Sequence, residues 1–329
     1  MGLSDAEYRA AAERLVSATS VAVCAHIRPD GDAVASTLAL AAALRACGVD
    51  AVPTLADEDG RAPATYAFLP WFDEYVPAGD LDAPEVLVAL DTPNVERLGA
   101  AGRLAAGAVD VIVLDHHPDN LGFGTMNLVD TEAAAVGQMV WRLLAHLGDL
   151  RGLSVDERLA HSLYVALLTD TGGFRYSNTT PQALRDAADM VQAGADPAAA
   201  SREAYEERSH GAVALAGLAL SRLQLLNGGR VAHAWIADED FAATGALPEE
   251  TEHLVDMLRM LGGVDVVVFA QQRGAECRVN LRSKNGFDVG SVARRFGGGG
   301  HAAAAGLTYA GLREDFLAEA LPLLPGAGG

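Results

Sequence analysis

The sequence is poor in basic side chains and contains a single lysine, Lys284. Its 24 basic residues stand against 44 acidic ones, which gives a net charge of −20. Proteins that coat long nucleic acid use broad basic surfaces, because contacts to the phosphate backbone dominate their affinity. The charge therefore argues against long duplex nucleic acid as a partner, whereas metals or a local basic patch could still hold a small anion.

The chain also lacks any run of about 18 apolar residues, the length that a transmembrane helix requires. Its N-terminus is polar and helix-like, not a basic patch followed by an apolar signal. The three cysteines, Cys24, Cys47 and Cys277, lie far apart and form no CxxC pair, as is typical of reduced thiols. We therefore expect a cytoplasmic protein with no membrane partner.

Short apolar segments alternate with helical ones in the first half of the chain. The strand-like segments are 21–27, 85–91 and 109–115, and the helical segments are 33–47, 132–147 and 155–170. Such alternation favours an α/β fold, with a parallel sheet that helices cover on both faces. Sheets of this kind bind ligands outside the carboxyl ends of their strands.

The second half of the chain has the pattern of a smaller α+β domain. After a helical connector at 181–210, two strands with a turn at Asn227-Gly228-Gly229 are predicted within 217–236. Further predicted elements are a helix at 250–261, strands at 264–271 and 276–282, a helix at 288–296 and a glycine loop at 297–300. We place the domain limits at 1–190 and 213–329, with a helical linker at 191–212.

Acidic residues and histidines follow the strand-like segments, and one more closes a predicted helix. The candidates are His26, Asp30 and Asp32 after the first strand, Asp91 at the end of the second, Asp115, His116 and His117 after the third, and Asp170 at the helix end. Carboxylate oxygen and imidazole nitrogen together suit Mn²⁺, Zn²⁺ or similar ions. Asp30 or Asp32 could instead cap the helix that follows. Burying so many carboxylates together without cations would be very costly, so the set predicts a shared metal site.

A basic segment and a glycine run in the second half together suit an anion. They supply the candidates Arg282, Ser283, Lys284, Gly298, Gly299, Gly300 and His301. A glycine loop exposes backbone N–H groups to an anion. The arginine offers a planar fork for phosphate, and the histidine adds another donor. A flexible loop without a ligand is the alternative for the glycine run alone, and the neighbouring basic segment favours binding.

The ordered set His26-x-x-x-Asp30-x-Asp32, Asp91, Asp115-His116-His117 and Asp170 resembles the four motifs of the DHH phosphoesterase superfamily. The basic segment and the glycine-histidine run resemble the substrate-binding motif of the DHH-associated C-terminal domain. With residues 169–180, they are similar to the bacterial nanoRNase and nucleotide phosphatase branch. The resemblance implies a DHH catalytic domain at 1–190 and a substrate-binding domain at 213–329. Alanines at 302–305 replace a stretch that is often more polar in relatives, which bears on fine substrate preference.

The same resemblance implies two divalent metal ions. His26, Asp30 and Asp91 would hold one ion, and Asp32, Asp91, His116 and Asp170 the other. Mixed imidazole and carboxylate ligation favours Mn²⁺ over Mg²⁺. Asp91 would bridge the ions, and Asp115 would orient a ligating histidine. His117 would contact the phosphoryl oxygens or help to protonate the leaving group.

A phosphodiesterase and phosphatase with two-metal activation of water is the function that the resemblance implies. Its expected substrates are short oligoribonucleotides, linear or cyclic dinucleotides (pApA, pGpG and c-di-AMP) and 3′-phosphoadenosine 5′-phosphate, with nucleoside monophosphates as products. The expected partner is thus a small nucleotide or short RNA. By resemblance alone we also expect a homodimer.

Three other functions are compatible with the same catalytic core. A manganese-dependent inorganic pyrophosphatase shares the DHH core, but the basic segment and the glycine-histidine run favour a nucleotide-binding second domain. A processive single-strand exonuclease of the RecJ kind is disfavoured by the short chain and the lack of added basic domains. A catalytically inactive nucleotide-sensing module is disfavoured because every expected ligand residue is present.

Overall fold

The computed structural model describes residues 2–57 and 60–326, except for the side chains at 249, 252 and 253. The chain divides into two compact units, Met1–Glu206 and Glu207–Gly329, and each is described by itself. The domain limits at 190 and 213, with a helical linker between them, stay a prediction.

The first unit is built on a six-stranded sheet. Its strands are β1 (Ser20–Cys24), β2 (Asp50–Leu55), β3 (Val76–Pro77), β4 (Val86–Leu90), β5 (Asp110–Asp115) and β6 (Met126–Val129). Its helices are α1 (Asp5–Ser17), α2 (Gly31–Ala46), α3 (Gly102–Gly107), α4 (Val136–Arg151), α5 (Glu157–Asp170), α6 (Pro181–Gln192) and α7 (Pro197–Ser201). A 3₁₀ segment (Val95–Ala101) precedes α3, and a π-helical turn (Arg202–Glu206) follows α7.

All strand pairs of this sheet are parallel, in the order β3-β2-β1-β4-β5-β6. The chain moves outward from β1 in one direction and then from β4 in the other, so the strand order reverses between these two strands. Ligands of open α/β sheets bind in the crevice at such a reversal, outside the carboxyl ends of the strands. The loops after β1 and β4 therefore begin side by side at that crevice.

Helices cover both faces of the parallel sheet, but unequally. Successive strand residues alternate between the faces, so Val88 and Leu90 of β4 pack in a large core with α1, α2, α4 and α5. Leu87 and Ala89 pack on the opposite face, in a smaller core with the 3₁₀ segment and α3. The predicted α/β class, with a parallel sheet covered on both faces, is confirmed.

The second unit is a mixed sheet with helices on both faces. Its strands are β7 (Gln224–Leu226), β8 (Val231–Ala237), β9 (Val266–Arg273), β10 (Glu276–Ser283), β11 (Gly299–Gly300) and β12 (Ala304–Ala310). Its helices are α8 (His210–Ser221), α9 (Asp238–Thr244), α10 (Glu252–Arg259), α11 (Val289–Arg295) and α12 (Arg313–Ala320). The strand order is β11-β12-β10-β9-β8-β7, and β8 and β9 form its parallel pair. The predicted smaller α+β domain is confirmed.

Two local predictions in the second unit are wrong. Residues 217–221, predicted as the start of a strand, form the end of α8. The Ser209 side chain caps this helix by accepting from the Ala212 N–H, and Leu215 and Ala219 are buried along it, so capping and packing outweigh the strand-like run. The predicted glycine loop at 297–300 is also wrong in its second half, because Gly299 and Gly300 form the short strand β11, which pairs with β12.

Two expectations from composition can be compared with the structure. Cys24, Cys47 and Cys277 are buried and free, and burial raises the pKa of each thiol. Among the described residues, no helix has the length and apolar character that crossing a membrane requires. The cytoplasmic location stays a prediction.

Candidate metal centre

The structure brings the predicted ligands of the first unit together at the carboxyl edge of its sheet. Ligand atoms lie within 4.8 Å of one another in three groups: His26, Asp30 and Asp91; Asp32, His116 and Asp170; and Asp91, Asp115 and His117. These residues come from the loops after β1 and β4, from the first turn of α2, from the end of β5 and the two residues after it, and from the last residue of α5. Asp91 belongs to two of the groups, and its carboxylate is therefore central to the cluster.

The two aspartates of the first motif have different local partners. Asp30 is the N-cap of α2 and accepts a hydrogen bond from the Ala33 N–H at 3.1 Å. The helix-cap role considered for Asp30 from the sequence is therefore present in the structure. Asp32 does not cap its own helix. Its carboxylate accepts from the N–H groups of Val136 at 2.6 Å and Gly137 at 2.8 Å, in the first turn of α4. These two N–H groups at the N-terminus of α4 thus hold the Asp32 carboxylate in place.

Asp91 occupies an unusual backbone and side-chain environment. Its φ of 52° lies in the left-handed region, which aspartate and asparagine tolerate better than other non-glycine residues. The residue is 3% exposed, and among the described residues its Oδ1 accepts no hydrogen bond. Burying a carboxylate oxygen without a partner is costly, so this oxygen is available to a cation.

Two histidines face Asp91 with their Nε2 atoms. Nε2 of His26 lies 3.3 Å from Asp91 Oδ2, and Nε2 of His116 lies 3.3 Å from Asp91 Oδ1. Their Nδ1 atoms lie 2.8 Å from the Ile27 carbonyl oxygen and 3.2 Å from the Ala133 carbonyl oxygen. A carbonyl only accepts, so each Nδ1 carries a proton, and a ring that loses its second proton would present an Nε2 lone pair towards the carboxylate. Lone pairs that converge on a buried carboxylate fit a divalent cation between them.

The cluster strongly perturbs the pKa values of its members. Although burial acts against the charged ring, the carboxylates of Asp91, Asp170 and Asp32 raise the pKa of His116 well above its usual value. Burial raises the pKa of Asp170 to about 7, with the Asp30 and Asp91 carboxylates adding to the effect and His116 opposing it. Burial, followed by the charges of Asp91 and Asp170, also raises the pKa of Asp32. Protons therefore occupy groups of the cluster that a metal ion would need in their deprotonated form.

Asp115 is fully buried, and both of its carboxylate oxygens accept hydrogen bonds. Oδ1 accepts from the His116 N–H at 2.8 Å, and it lies 2.8 Å from Nδ1 of His117. Oδ2 accepts from the Asn120 side-chain amide at 2.6 Å. This arrangement orients the His117 ring with its Nε2 away from Asp115.

Sequence reasoning missed two asparagines at the cluster. Asn120 holds Asp115, and Asn178 donates from its amide to the carbonyl oxygens of Ala134 at 3.0 Å and Asp170 at 3.1 Å. Asn178 therefore ties the loop after α5 to the segment that leads into α4. Neither residue belongs to a periodic pattern, but the segment 169–180 that contains Asn178 already carried part of the family resemblance.

The substrate-binding candidates of the second unit lie at the end of β10 and around β11. Nε of Arg282 and Oγ of Ser283 are buried, and within the described part of the chain neither has a hydrogen-bond partner. Lys284 instead donates from its ammonium group to the Leu261 carbonyl oxygen at 2.8 Å. His301, which follows β11, is half-buried.

The glycines of the run have a packing role of their own. A Cβ on Gly298 would lie 2.3 Å from the Gly306 carbonyl oxygen, and one on Gly300, whose φ is 124°, would lie 2.6 Å from the Ala304 carbonyl oxygen. Gly299 pairs with Gly306 across β11 and β12. The close approach of these strands requires glycine at positions 298 and 300, whether or not an anion binds there.

Comparison with known proteins matches a family model to each of the two units. Residues 20–167 match the family model described as DHH family, N-terminal domain, and residues 228–324 match that of the DHHA1 domain. A Thermus thermophilus protein named bifunctional oligoribonuclease and PAP phosphatase NrnA is 35% identical over 89% of this chain and 85% of its own length. The chain belongs to the DHH family. The predicted DHH phosphoesterase is thereby confirmed.

One further relative and one solved structure extend the comparison. A Bacillus subtilis protein, also named bifunctional oligoribonuclease and PAP phosphatase NrnA, is 29% identical over 85% of this chain and 86% of its own length. The crystal structure of an exopolyphosphatase-related protein from Bacteroides fragilis has a TM-score of 0.84 at 21% identity, and the match covers 96% of this chain and 94% of that one. The structural match supports the fold.

The packing beneath Asp32 gives a testable prediction. A Cβ on Gly137 would lie 2.4 Å from the Ala166 Cβ. Gly137→Ala should therefore lower the free energy of unfolding by about 1–3 kcal/mol through overpacking. Gly217→Ala in α8 is the matched control, because no described atom outside the helix's own backbone and the two adjoining residues lies within 4 Å of the new Cβ. It should raise the same free energy by about 0.4–1 kcal/mol. Urea denaturation measures both, and equal stability of the two variants would contradict the prediction.

Proposed function

We propose that this chain hydrolyses short oligoribonucleotides, dinucleotides such as pApA, and 3′-phosphoadenosine 5′-phosphate to nucleoside monophosphates. The observation that carries the proposal is the buried Asp91 carboxylate, on which the Nε2 atoms of His26 and His116 converge. Such a donor set suits the divalent cations that phosphoryl-transfer enzymes use. The names of the Thermus and Bacillus relatives, bifunctional oligoribonuclease and PAP phosphatase, support the same pair of activities. The dinucleotides pGpG and c-di-AMP stay candidate substrates.

Two divalent ions, Mn²⁺ by ligand preference, are part of the proposal. His26, Asp30 and Asp91 would hold one ion, and Asp32, Asp91, His116 and Asp170 the other. When bound, such ions lower the pKa of water and neutralise charge on the phosphoryl group. The helix dipole and N–H groups of α4 keep the Asp32 carboxylate in position for this task.

His117 would act on the substrate from the side opposite Asp115. Although burial acts against the charged ring, Asp115 and Asp91 raise the pKa of His117. The raised pKa favours the doubly protonated ring, which can donate from Nε2 to a phosphoryl or leaving oxygen. Asp115 would act by orienting this ring, and Asn120 would hold Asp115.

The second unit would bind the nucleotide. Arg282 and Ser283 support this role because each has a buried polar atom that lacks a hydrogen-bond partner within the described residues. Gly298, Gly299, Gly300 and His301 complete the proposed binding motif, whereas Lys284 would act mainly through its charge. We propose the domain limits that the sequence predicts: a catalytic domain at 1–190, a linker at 191–212 and a substrate-binding domain at 213–329. The proposed oligomeric state is a homodimer.

The experiment is an incubation of the purified full chain with Mn²⁺ and pApA, with a chelator control and chromatography of the products. The proposal expects AMP in the presence of Mn²⁺ and none in the chelator. The same assay then compares short RNA, c-di-AMP and 3′-phosphoadenosine 5′-phosphate. Turnover of pyrophosphate alone would favour a pyrophosphatase, and no turnover despite bound Mn²⁺ would favour a nucleotide sensor.

Arg282→Ala is expected to raise KM for pApA by about tenfold or more and to change kcat little, because the contact is to the part of the substrate that does not react. Steady-state kinetics in Mn²⁺ measure the two constants. Arg295→Ala, which removes an exposed arginine at the end of α11, is the matched control and should behave as wild type. A lower kcat with an unchanged KM would contradict the binding role of Arg282.

A further inference from the structure

The segment after Asp91 is hydrogen-bonded to the loop that carries His26 and Asp30. The Ile27 N–H donates to the Arg97 carbonyl oxygen at 2.8 Å, and Ile27 is the residue that follows His26. The Asn94 side chain caps the 3₁₀ segment by accepting from the Arg97 N–H at 3.1 Å. Gly99, with a φ of 45°, lies so close that a Cβ there would be 2.5 Å from the Ile27 side chain. Arg97 is thus held at a defined place beside the metal centre.

The Arg97 guanidinium lacks a polar partner among the described residues. Its Nε is buried, and across residues 2–57 and 60–326 the guanidinium has neither a hydrogen bond nor an ion pair. A buried polar atom without a partner is uncommon in folded proteins and calls for an explanation. The residue as a whole is only half-buried, so a ligand can reach the group.

The acidic groups around Arg97 are those of the metal centre. Burial lowers the pKa of Arg97. The carboxylates of Asp91 and Asp30 oppose this shift, and the positive charge of Arg28 adds to it. The guanidinium still stays charged, because its ordinary pKa is far above neutrality. With Mn²⁺ on the carboxylates, Arg97 would be a positive group beside other positive groups. In the protein with Mn²⁺ bound, the Arg97 guanidinium would therefore favour binding to an anion.

We propose that Arg97 binds the non-bridging oxygens of the phosphoryl group that is cleaved at the metal centre. The inference rests on the proposed function and adds a substrate contact from the catalytic unit itself. A guanidinium matches two phosphate oxygens with two parallel N–H groups. Charge spreads over the equatorial oxygens in the transition state, so this contact strengthens as the reaction proceeds.

The test compares Arg97→Gln and Arg97→Lys with the control Arg103→Gln. Arg103 lies in the same β4–β5 connection, but its guanidinium donates to the carbonyl oxygens of Ala78 and Leu81. Three quantities are measured on the full chain: kcat and KM for pApA, the Kd of Mn²⁺, and the Kd of inorganic phosphate on the Mn²⁺-loaded protein. The last two are obtained by titration calorimetry and need no turnover.

Arg97→Gln is expected to reduce kcat by about 10²-fold or more and to weaken phosphate binding about tenfold. Its Mn²⁺ affinity should stay the same or increase, because a positive charge beside a cation site is removed. Arg97→Lys keeps the charge without the fork and should lose only about tenfold in kcat. Arg103→Gln should match wild type in all three quantities.

Two results would overturn the proposal. One is a kcat and a phosphate Kd for Arg97→Gln within about threefold of wild type. The other is a loss of Mn²⁺ affinity that parallels the loss of activity, with lysine as harmful as glutamine, since that pattern belongs to a residue that only holds the loops. If wild type hydrolyses no nucleotide, the proposed function fails, and the phosphate titration still decides whether Arg97 binds the anion.

Discussion

Asp91→Asn should reduce Mn²⁺-dependent turnover of pApA by at least about 10³-fold while the protein stays folded. Asp91 is the carboxylate that His26 and His116 both face, and its Oδ1 has no hydrogen-bond partner within the described residues. An amide removes the negative charge and replaces one oxygen donor with a nitrogen that cannot bind a metal ion. Steady-state rates with and without Mn²⁺ measure the effect, and circular dichroism reports on the fold.

Asparagine is the preferred replacement because the backbone at position 91 is left-handed, with a φ of 52°. Asparagine tolerates this conformation, whereas alanine would add strain and confuse stability with catalysis. Asp189→Asn, on the exposed side of α6, is the matched control and should keep wild-type rates. Survival of a tenth or more of the wild-type rate in Asp91→Asn would rule out the bridging role.

The stabilisation of the protein by Mn²⁺ should grow steeply between pH 6 and pH 8. In a chelator, Asp170 has its pKa raised to about 7. A raised folded-state pKa stabilises the fold fully below the ordinary value of about 4, and this stabilisation is lost as the pH rises through about 7. Mn²⁺ requires the deprotonated carboxylate, so its binding releases protons and its apparent affinity rises with pH.

Thermal unfolding with Mn²⁺ and with chelator measures this linkage. Mn²⁺ at about 100 times its Kd adds about 2.7 kcal/mol, or roughly 5–10 °C in Tm for a domain of this size. Calorimetry in two buffers of different ionisation enthalpy counts the released protons, and Asp170→Asn should release fewer below pH 7. An equal gain in Tm at pH 6 and pH 8 would contradict the linkage.

The metal centre could be predicted well from the sequence because its geometry follows from strand ends. Apolar runs locate β1, β4 and β5, and parallel strands bring their carboxyl ends to one edge. Residues that follow those runs must then meet, as the Asp91 and His116 side chains do. The roles of these residues as ligands and catalytic groups stay a prediction that the variants above test.

Other parts of the structure depend on contacts that no local pattern encodes. No strand was predicted at β2, which contains Pro53, a residue type disfavoured in central strands. It is tolerated because β3 pairs only with Thr54 and Leu55, so β2 is an edge at that point. Arg97 and Asn178 were missed for a related reason, since loops set by tertiary packing bring them to the site.

The three buried thiols make the chain well suited to site-directed labelling. Cys24 and Cys277 are fully buried, Cys47 is 9% exposed, and their raised pKa values keep the reactive thiolate scarce at neutral pH. A cysteine introduced at an exposed position in each unit, such as 189 and 295, could be modified by maleimide dyes without removing any native cysteine. Fluorescence energy transfer between the two dyes would then report on the separation of the units as nucleotide is added.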